Sequence, residues 1–241
     1  MARSIFVLIG LAIALALAGI GAVYVGVADT TSVIVWDIRA PRIILATIVG
    51  AGLGVSGALL QGALRNPLAD PGIIGVSAGA ALGTVVIVST GVAYGSVVAA
   101  IGGIIGGLAA MAAVTVVSRS PRGVEVVTLI LAGVAITAFA AAVLSIVLTT
   151  SDLAGVRSTT FFTTGSFALA TWPGVAATLP FVLTGFIIAA IISGRLDVLS
   201  LGDRAAFASG LNVNSVRWWA LVAAVLTVAA GVAVVGIIVF I

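Results

Sequence analysis

Seven long apolar runs, separated by short polar segments, organise this chain of 241 residues. They cover about 5–27, 43–64, 73–90, 97–117, 124–148, 173–194 and 216–241. Each approaches the ~20 residues that a helix needs to cross a hydrocarbon core about 30 Å thick. The runs are continuous rather than alternating, which predicts helices and not barrel strands, because lipid obliges each backbone amide to find an internal partner. The expected fold class is all-α: a polytopic transmembrane helix bundle forming a single transmembrane domain over 1–241. Met1-Ala2-Arg3 resembles the start of a secretory leader. The first run is long for a leader and no A-x-A site stands out, so a retained first helix is expected. The last run is still apolar at Ile241, so the sequence predicts a truncated chain or a fragment. The alternative is a seven-span protein ending at the outer face.

Composition sharpens this picture. The chain is 62% hydrophobic and 7% charged, with a mean hydropathy of +1.41. That leaves too little polar surface to cover a globule in water. Thirty glycines suit close approach of membrane helices. The absence of Cys and His removes disulfides, Cys-based metal sites, His-ligated haem and His-based catalytic sets. Seven acidic residues, mostly in loops, give an enzyme little to work with, and no cofactor or metal is implied. All ten basic residues are arginines. They flank spans, where positive charge sets orientation, so the high pI does not signal nucleic acid. An N-terminus inside places Arg3, Arg65, Arg119, Arg122, Arg195, Arg204 and Arg217 in the cytoplasm and only Arg39, Arg42 and Arg157 outside.

Four polar constellations are candidates for function. The proline-punctuated stretch Gln61–Gly72, with Arg65, Asn66, Pro67 and Asp70, reads as a tight inside loop. Arg39 and Arg42 bracket Ala40-Pro41 at the outer mouth of the second span. They suit either carboxylates on an external partner or lipid headgroups reached by snorkelling. The inside segment 199–213 is too polar to span. Asp203 near its start and Gly210 at its end read as a short capped helix, with Leu201, Ala205 and Ala208 on one face and Phe207 beside it. Such a helix suits a partner groove or the membrane surface. The fifth run carries Gly133, Thr137, Ala141 and Ser145 at four-residue spacing, a smooth, weakly polar face. It suits a translocation path or plain helix packing. Arg119, Pro121, Arg122 and Glu125 precede it and could gate it. Two glycine stripes, Gly50-Gly54-Ala58-Gly62 and Gly75-Gly79-Gly83, allow the same two readings. The apolar runs hold almost no ionisable group, which argues against a proton-coupled carrier and leaves energy to a partner.

Ordered strings identify a family. Arg39-Ala40-Pro41-Arg42, Ser56-Gly57-Ala58-Leu59-Leu60-Gln61-Gly62, Arg65-Asn66-Pro67-Leu68-Ala69-Asp70-Pro71-Gly72, Gly75-Val76-Ser77-Ala78-Gly79-Ala80, Leu201-Gly202-Asp203 and Gly210-Leu211-Asn212-Val213 resemble the FecCD-type permeases. These are membrane subunits of ABC importers for iron-siderophores, haem and cobalamin in prokaryotic cytoplasmic membranes. The resemblance implies ten helices, of which about seven are present here, so the domain is C-terminally incomplete relative to the family. It also implies a second permease subunit (a homodimer or a paralogue), a cytoplasmic ABC ATPase dimer and an external substrate-binding protein. The ATPase would couple at Leu201, Gly202, Asp203, Arg204, Phe207 and Gly210, and the binding protein would dock at Arg39 and Arg42. The fifth span would line the dimer axis. The expected cargo is a ferric siderophore; cobalamin, haem, or a secondary carrier or non-transporting scaffold are the alternatives. Two departures stand out. The segment between the first two helices is short, and Gly236-Ile237-Ile238-Val239-Phe240 replaces the usual Gly-Pro-Ile-Gly-Phe stretch.

Overall fold

Continuous apolar sequence with few breakers folds into helices almost throughout. The computed structural model describes residues 2–24, 31–72, 74–120, 123–124, 126–150 and 164–238. Helix α1 is Ala2–Tyr24. A π-helical turn, Ile34–Arg39, runs directly into α2, Ala40–Leu64. Then follow α3, Val76–Ser89, and α4, Val97–Val117. Two strands, β1 Arg119–Ser120 and β2 Gly123–Val124, pair antiparallel with Arg119 opposite Val124. The remaining helices are α5, Val126–Thr150; α6, Trp172–Ser200; α7, Asp203–Ala208; and α8, Val213–Val235.

Among the described residues, five helical stretches are long and apolar enough to cross a membrane unaided: Ile34–Leu64, Val97–Val117, Val127–Thr150, Trp172–Ser200 and Val213–Val235. α3 has 14 residues, about 21 Å at 1.5 Å per residue, and falls short of the span expected from 73–90. Its start is delayed by Gly75 in the left-handed region (φ 78°). Its end is set by Thr90, whose amide and hydroxyl both donate to the Ile87 carbonyl.

Three boundaries differ from the sequence reading for identifiable reasons. Helix precedes residue 43, so Arg39 and Arg42 lie in helical backbone and not in an outer loop. Pro41 has no amide to donate, and the ladder shifts to π spacing just before it, Ala40 N donating to Val35 O. α6 continues six residues past 194 because Arg195 and Asp197 are exposed on the helix and do not break it. α8 stops at Val235 and not 241. Gly236 (φ 79°) turns the chain, and the freed carbonyls are taken in turn: Val234 O by the Tyr94 hydroxyl and Val235 O by Ser166 N. Burial pushes the Tyr94 phenol far above its usual range, so it remains a neutral donor.

α8 is the hub. Nearly all its residues from Ala220 to Val235 are buried, and it packs on α2, α3, α4 and α6. Small residues permit this. A Cβ on Gly52 of α2 would stand 2.9 Å from the Thr227 carbonyl oxygen, and one on Gly185 of α6 would stand 3.0 Å from that of Ala223. Gly107 of α4 faces Ala229 and Val225. With lipid outside as apolar as the core, dispersion and fit hold such a bundle together. The two glycine stripes behave differently. Gly79 and Gly83 pack against Gly106 and Gly102 where α3 crosses α4. Gly50 and Gly54 have open space where a Cβ would stand, and the buried face of α2 is instead Leu45, Val49, Gly52, Ser56, Leu59, Leu60 and Ala63.

Candidate functional site

The arginine count predicts that 61–72 and 194–217 share one side of the membrane, and the structure brings them into contact. α2 ends in a left-handed residue, Arg65 (φ 49°), whose amide returns to Gln61 O and Gly62 O. The loop that follows closes on itself. Asn66 N donates to Gln61 O, Ala69 N to Asn66 O, Leu68 N to Asn66 Oδ1 and Gly72 N to Asp70 Oδ1. These are the Asx turns expected of Asn and Asp beside proline. Pro67 and Leu68 stand exposed at the tip.

α7 lies beside this loop. Gly202 (φ 112°) precedes it, and Gly210 (φ 82°) ends it, with Gly210 N donating to Phe207 O and Leu211 N to Ala206 O. Asp203 is the first residue of the helix and not its cap. Its carboxylate turns sideways, taking Arg217 Nη2 at 2.9 and 3.1 Å and Arg65 Nη2 at 3.3 Å. Arg217 also donates through Nε to Ala63 O at 3.0 Å, a carbonyl left over by the end of α2. The sequence reading omitted Arg217 from the site. The available signal was an arginine in the first turn of an apolar span, because a buried charge needs a partner.

One small side chain anchors α7. Ala206 is buried with Leu199 and Val216. Leu201, Arg204, Ala205, Phe207 and Ala208 all face outward, with Leu201 75% and Phe207 78% exposed. Large apolar groups beside ion pairs form a surface suited to a partner groove.

On α5 the four-residue stripe divides. Gly133 and Thr137 lie against the start of α3: a Cβ on Gly75 would stand 3.4 Å from both Gly133 O and Thr137 Oγ1. Ala141 and Ser145 are exposed, the Ser145 hydroxyl donating to Ala141 O at 2.9 Å. A cavity of about 120 Å³ lies between this helix, the 70–72 turn and α3. Thr137 Oγ1, which lines it, is buried without a hydrogen-bond partner. Arg119 belongs to β1, while Pro121, Arg122 and Glu125 lie outside the described residues.

At the opposite end both expected arginines bond to backbone. Arg39 Nη1 donates to Val23 O of α1, and Arg42 Nη2 donates to Ala168 O at 2.7 Å. Trp172 Nε1 adds a bond to Trp36 O at 2.9 Å. These contacts fasten the entry of α2 to the segment before α6, with Arg42 still exposed.

Comparisons with known proteins agree in direction. A family model described as the FecCD transport family matches residues 3–241. The haemin transport system permease protein HmuU of Yersinia pestis is 34% identical over 212 residues, covering 86% of this chain and 63% of that protein. The cobalamin import system permease protein BtuC of Halobacterium salinarum is 36% identical, covering 90% and 58%. The Fe(3+)-citrate import system permease protein YfmE of Bacillus subtilis is 32% identical, covering 92% and 69%. A solved chain described as an inward-facing conformation of a metal-chelate type ABC transporter superposes with a TM-score of 0.82 at 31% identity, covering 96% of this chain and 75% of its own. The chain thus spans about six-tenths of the length of the first two of these relatives.

Proposed function

Because this chain belongs to the FecCD transport family, we propose that it is the membrane-spanning permease part of an ATP-driven importer of an iron chelate, a ferric siderophore. It would sit in a prokaryotic cytoplasmic membrane with its N-terminus inside. It performs no chemistry on its cargo. A cytoplasmic ABC ATPase dimer supplies energy, an external binding protein delivers the chelate, and a second permease subunit completes the path. Relatives named for ferric enterobactin, ferric hydroxamate and ferric citrate favour an iron chelate; those named for haemin and cobalamin keep these two large chelates as the second reading.

The observation that carries this proposal is α7, a short helix that exposes Phe207, preceded by the equally exposed Leu201 and tied through Asp203 to Arg65 and Arg217. It presents Leu201 and Phe207 to the ATPase while Gly202, Asp203, Arg204 and Gly210 shape and orient it. ATP-driven rocking of the bundle then moves α5, whose Gly133–Ser145 face lines the path, with Arg65–Asp70 and Arg119–Glu125 at its inner end. Arg39 and Arg42 face the binding protein. The test is reconstitution of the intact permease with its ATPase and binding protein in liposomes. ATP-dependent accumulation of a ferric siderophore is expected. Phe207→Asp and Leu201→Asp should weaken ATPase association at least about tenfold, as loss of a central apolar anchor does. Accumulation that proceeds without the ATPase would refute the importer and favour a secondary carrier.

A further inference from the structure

The docking helix is too short to be rigid on its own packing. Among the described residues of α7, Ala206 alone is buried, and one methyl group cannot fix the rotation of a six-residue helix. Asp203 supplies what packing lacks. Arg217, whose side chain is 13% exposed, grips the carboxylate with one nitrogen and Ala63 O with another, joining α2, α7 and α8 at one point. Arg65 adds a second grip from the loop side.

Arg65 is also the one non-glycine among the described residues with positive φ. That conformation is disfavoured for an L-residue by the closeness of its Cβ to backbone oxygen, and a glycine would adopt it freely. Retained strain of this kind points to a task for the side chain, and its guanidinium reaches Asp203. Beyond Arg65 the loop is stiffened by its own hydrogen bonds as far as Gly72, and Gly75 N donates to Gly72 O at 3.0 Å. Gly75 then rests on α5 at Ile136, Gly133 O and Thr137. A connection therefore runs from α7 through Asp203, Arg65, the hydrogen-bonded turn 65–72 and the bond between Gly72 and Gly75 to α5.

We propose that Asp203 and Arg65 are positioning residues that transmit displacement of α7 to α5. Arg217 holds the carboxylate in place, and Arg65 draws on it. This inference rests on the reading of α7 as the ATPase-docking helix. It separates attachment from transmission: Arg217 and Ala206 attach α7, whereas the Arg65 arm passes its movement on.

The experiment uses the intact permease reconstituted with its ATPase and binding protein. Arg65→Gly removes the guanidinium while relieving the left-handed backbone, so it leaves the fold at least as stable. Expected are ATPase association within about twofold of the parent and transport per ATP hydrolysed lowered about tenfold, within the usual range of coupling between sites. Asp203→Asn should lower the same ratio, and the double variant should be no worse than the lower single, since both changes cut one connection. Arg65→Lys, which keeps the charge, should recover part of the ratio. A normal ratio in Arg65→Gly, or losses that multiply in the double variant, would overturn the proposal. Phe207→Asp serves as the separate check on docking. If it leaves ATPase association unchanged, the docking reading fails, and this inference fails with it.

Discussion

Gly79→Ala tests the packing logic of the bundle with a single methyl group. The new Cβ would stand 2.7 Å from the Gly106 carbonyl oxygen and would also meet Ala110. Neither the backbone oxygen nor the Ala110 Cβ, at 2.5 Å, can swing away, so α3 and α4 must part by about 0.9 Å to restore ordinary contact, a gap that forfeits a quarter or more of the dispersion well along the crossing. Overpacking of this kind costs roughly 1–3 kcal/mol. Alanine's helix propensity returns about 1 kcal/mol, leaving a net loss of up to about 2 kcal/mol. For a domain of this size that corresponds to a fall in Tm of up to roughly 8 °C. Gly50→Ala is the paired control. Nothing lies within 4 Å of its added methyl, so propensity acts alone and Tm should hold or rise by a few degrees at about 2–4 °C per kcal/mol. The assay is thermal unfolding of the purified protein in detergent, followed by the fluorescence of its four tryptophans. Equal stability of the two variants would refute the reasoning, because it would mean that the α3–α4 crossing is no closer than an exposed helix face.

Other outcomes follow from the two ends and from α5. Arg217→Ala should destabilise the protein by about 2–4 kcal/mol, since it leaves Ala63 O without its donor and Asp203 with one partner in place of two; chemical denaturation measures this, and a loss under about 0.5 kcal/mol would deny Arg217 its joining role. Cysteine placed at 141 and 145 should react with a water-soluble thiol reagent in the assembled transporter, whereas 133 and 137 should react only in nucleotide states that lift α5 from Gly75. Silence of all four in every state would make the stripe a packing face. The native chain has no cysteine to confuse the label. Arg39→Ala with Arg42→Ala should slow binding-protein association and flatten its salt dependence. An unchanged rate and slope would leave the two arginines as backbone fasteners alone.

The sequence by itself determined that this is a membrane helix bundle, where most spans lie, and which polar segments share a side. Each of these follows from the transfer energy of individual residues and from local charge, which need no knowledge of neighbours. The short helix at 203–208 was legible for the same reason, since Gly210 marks its end through backbone conformation alone. The ordered strings from Arg39 to Ala80 also carried the family. Partner choice was not legible. Two glycine stripes with the same spacing became a close helix crossing at Gly79 and Gly83 and an open face at Gly50 and Gly54. Asp203, expected only near the start of a short capped helix, is the meeting point of Arg65 and Arg217, which are 152 residues apart in the numbering. Arg39 and Arg42 turned to carbonyls of α1 and of the segment before α6. Spacing fixes which residues share a face, but the face that meets another helix is set by the summed fit of every crossing in the bundle. That sum exists only once α8 is enclosed by its neighbours.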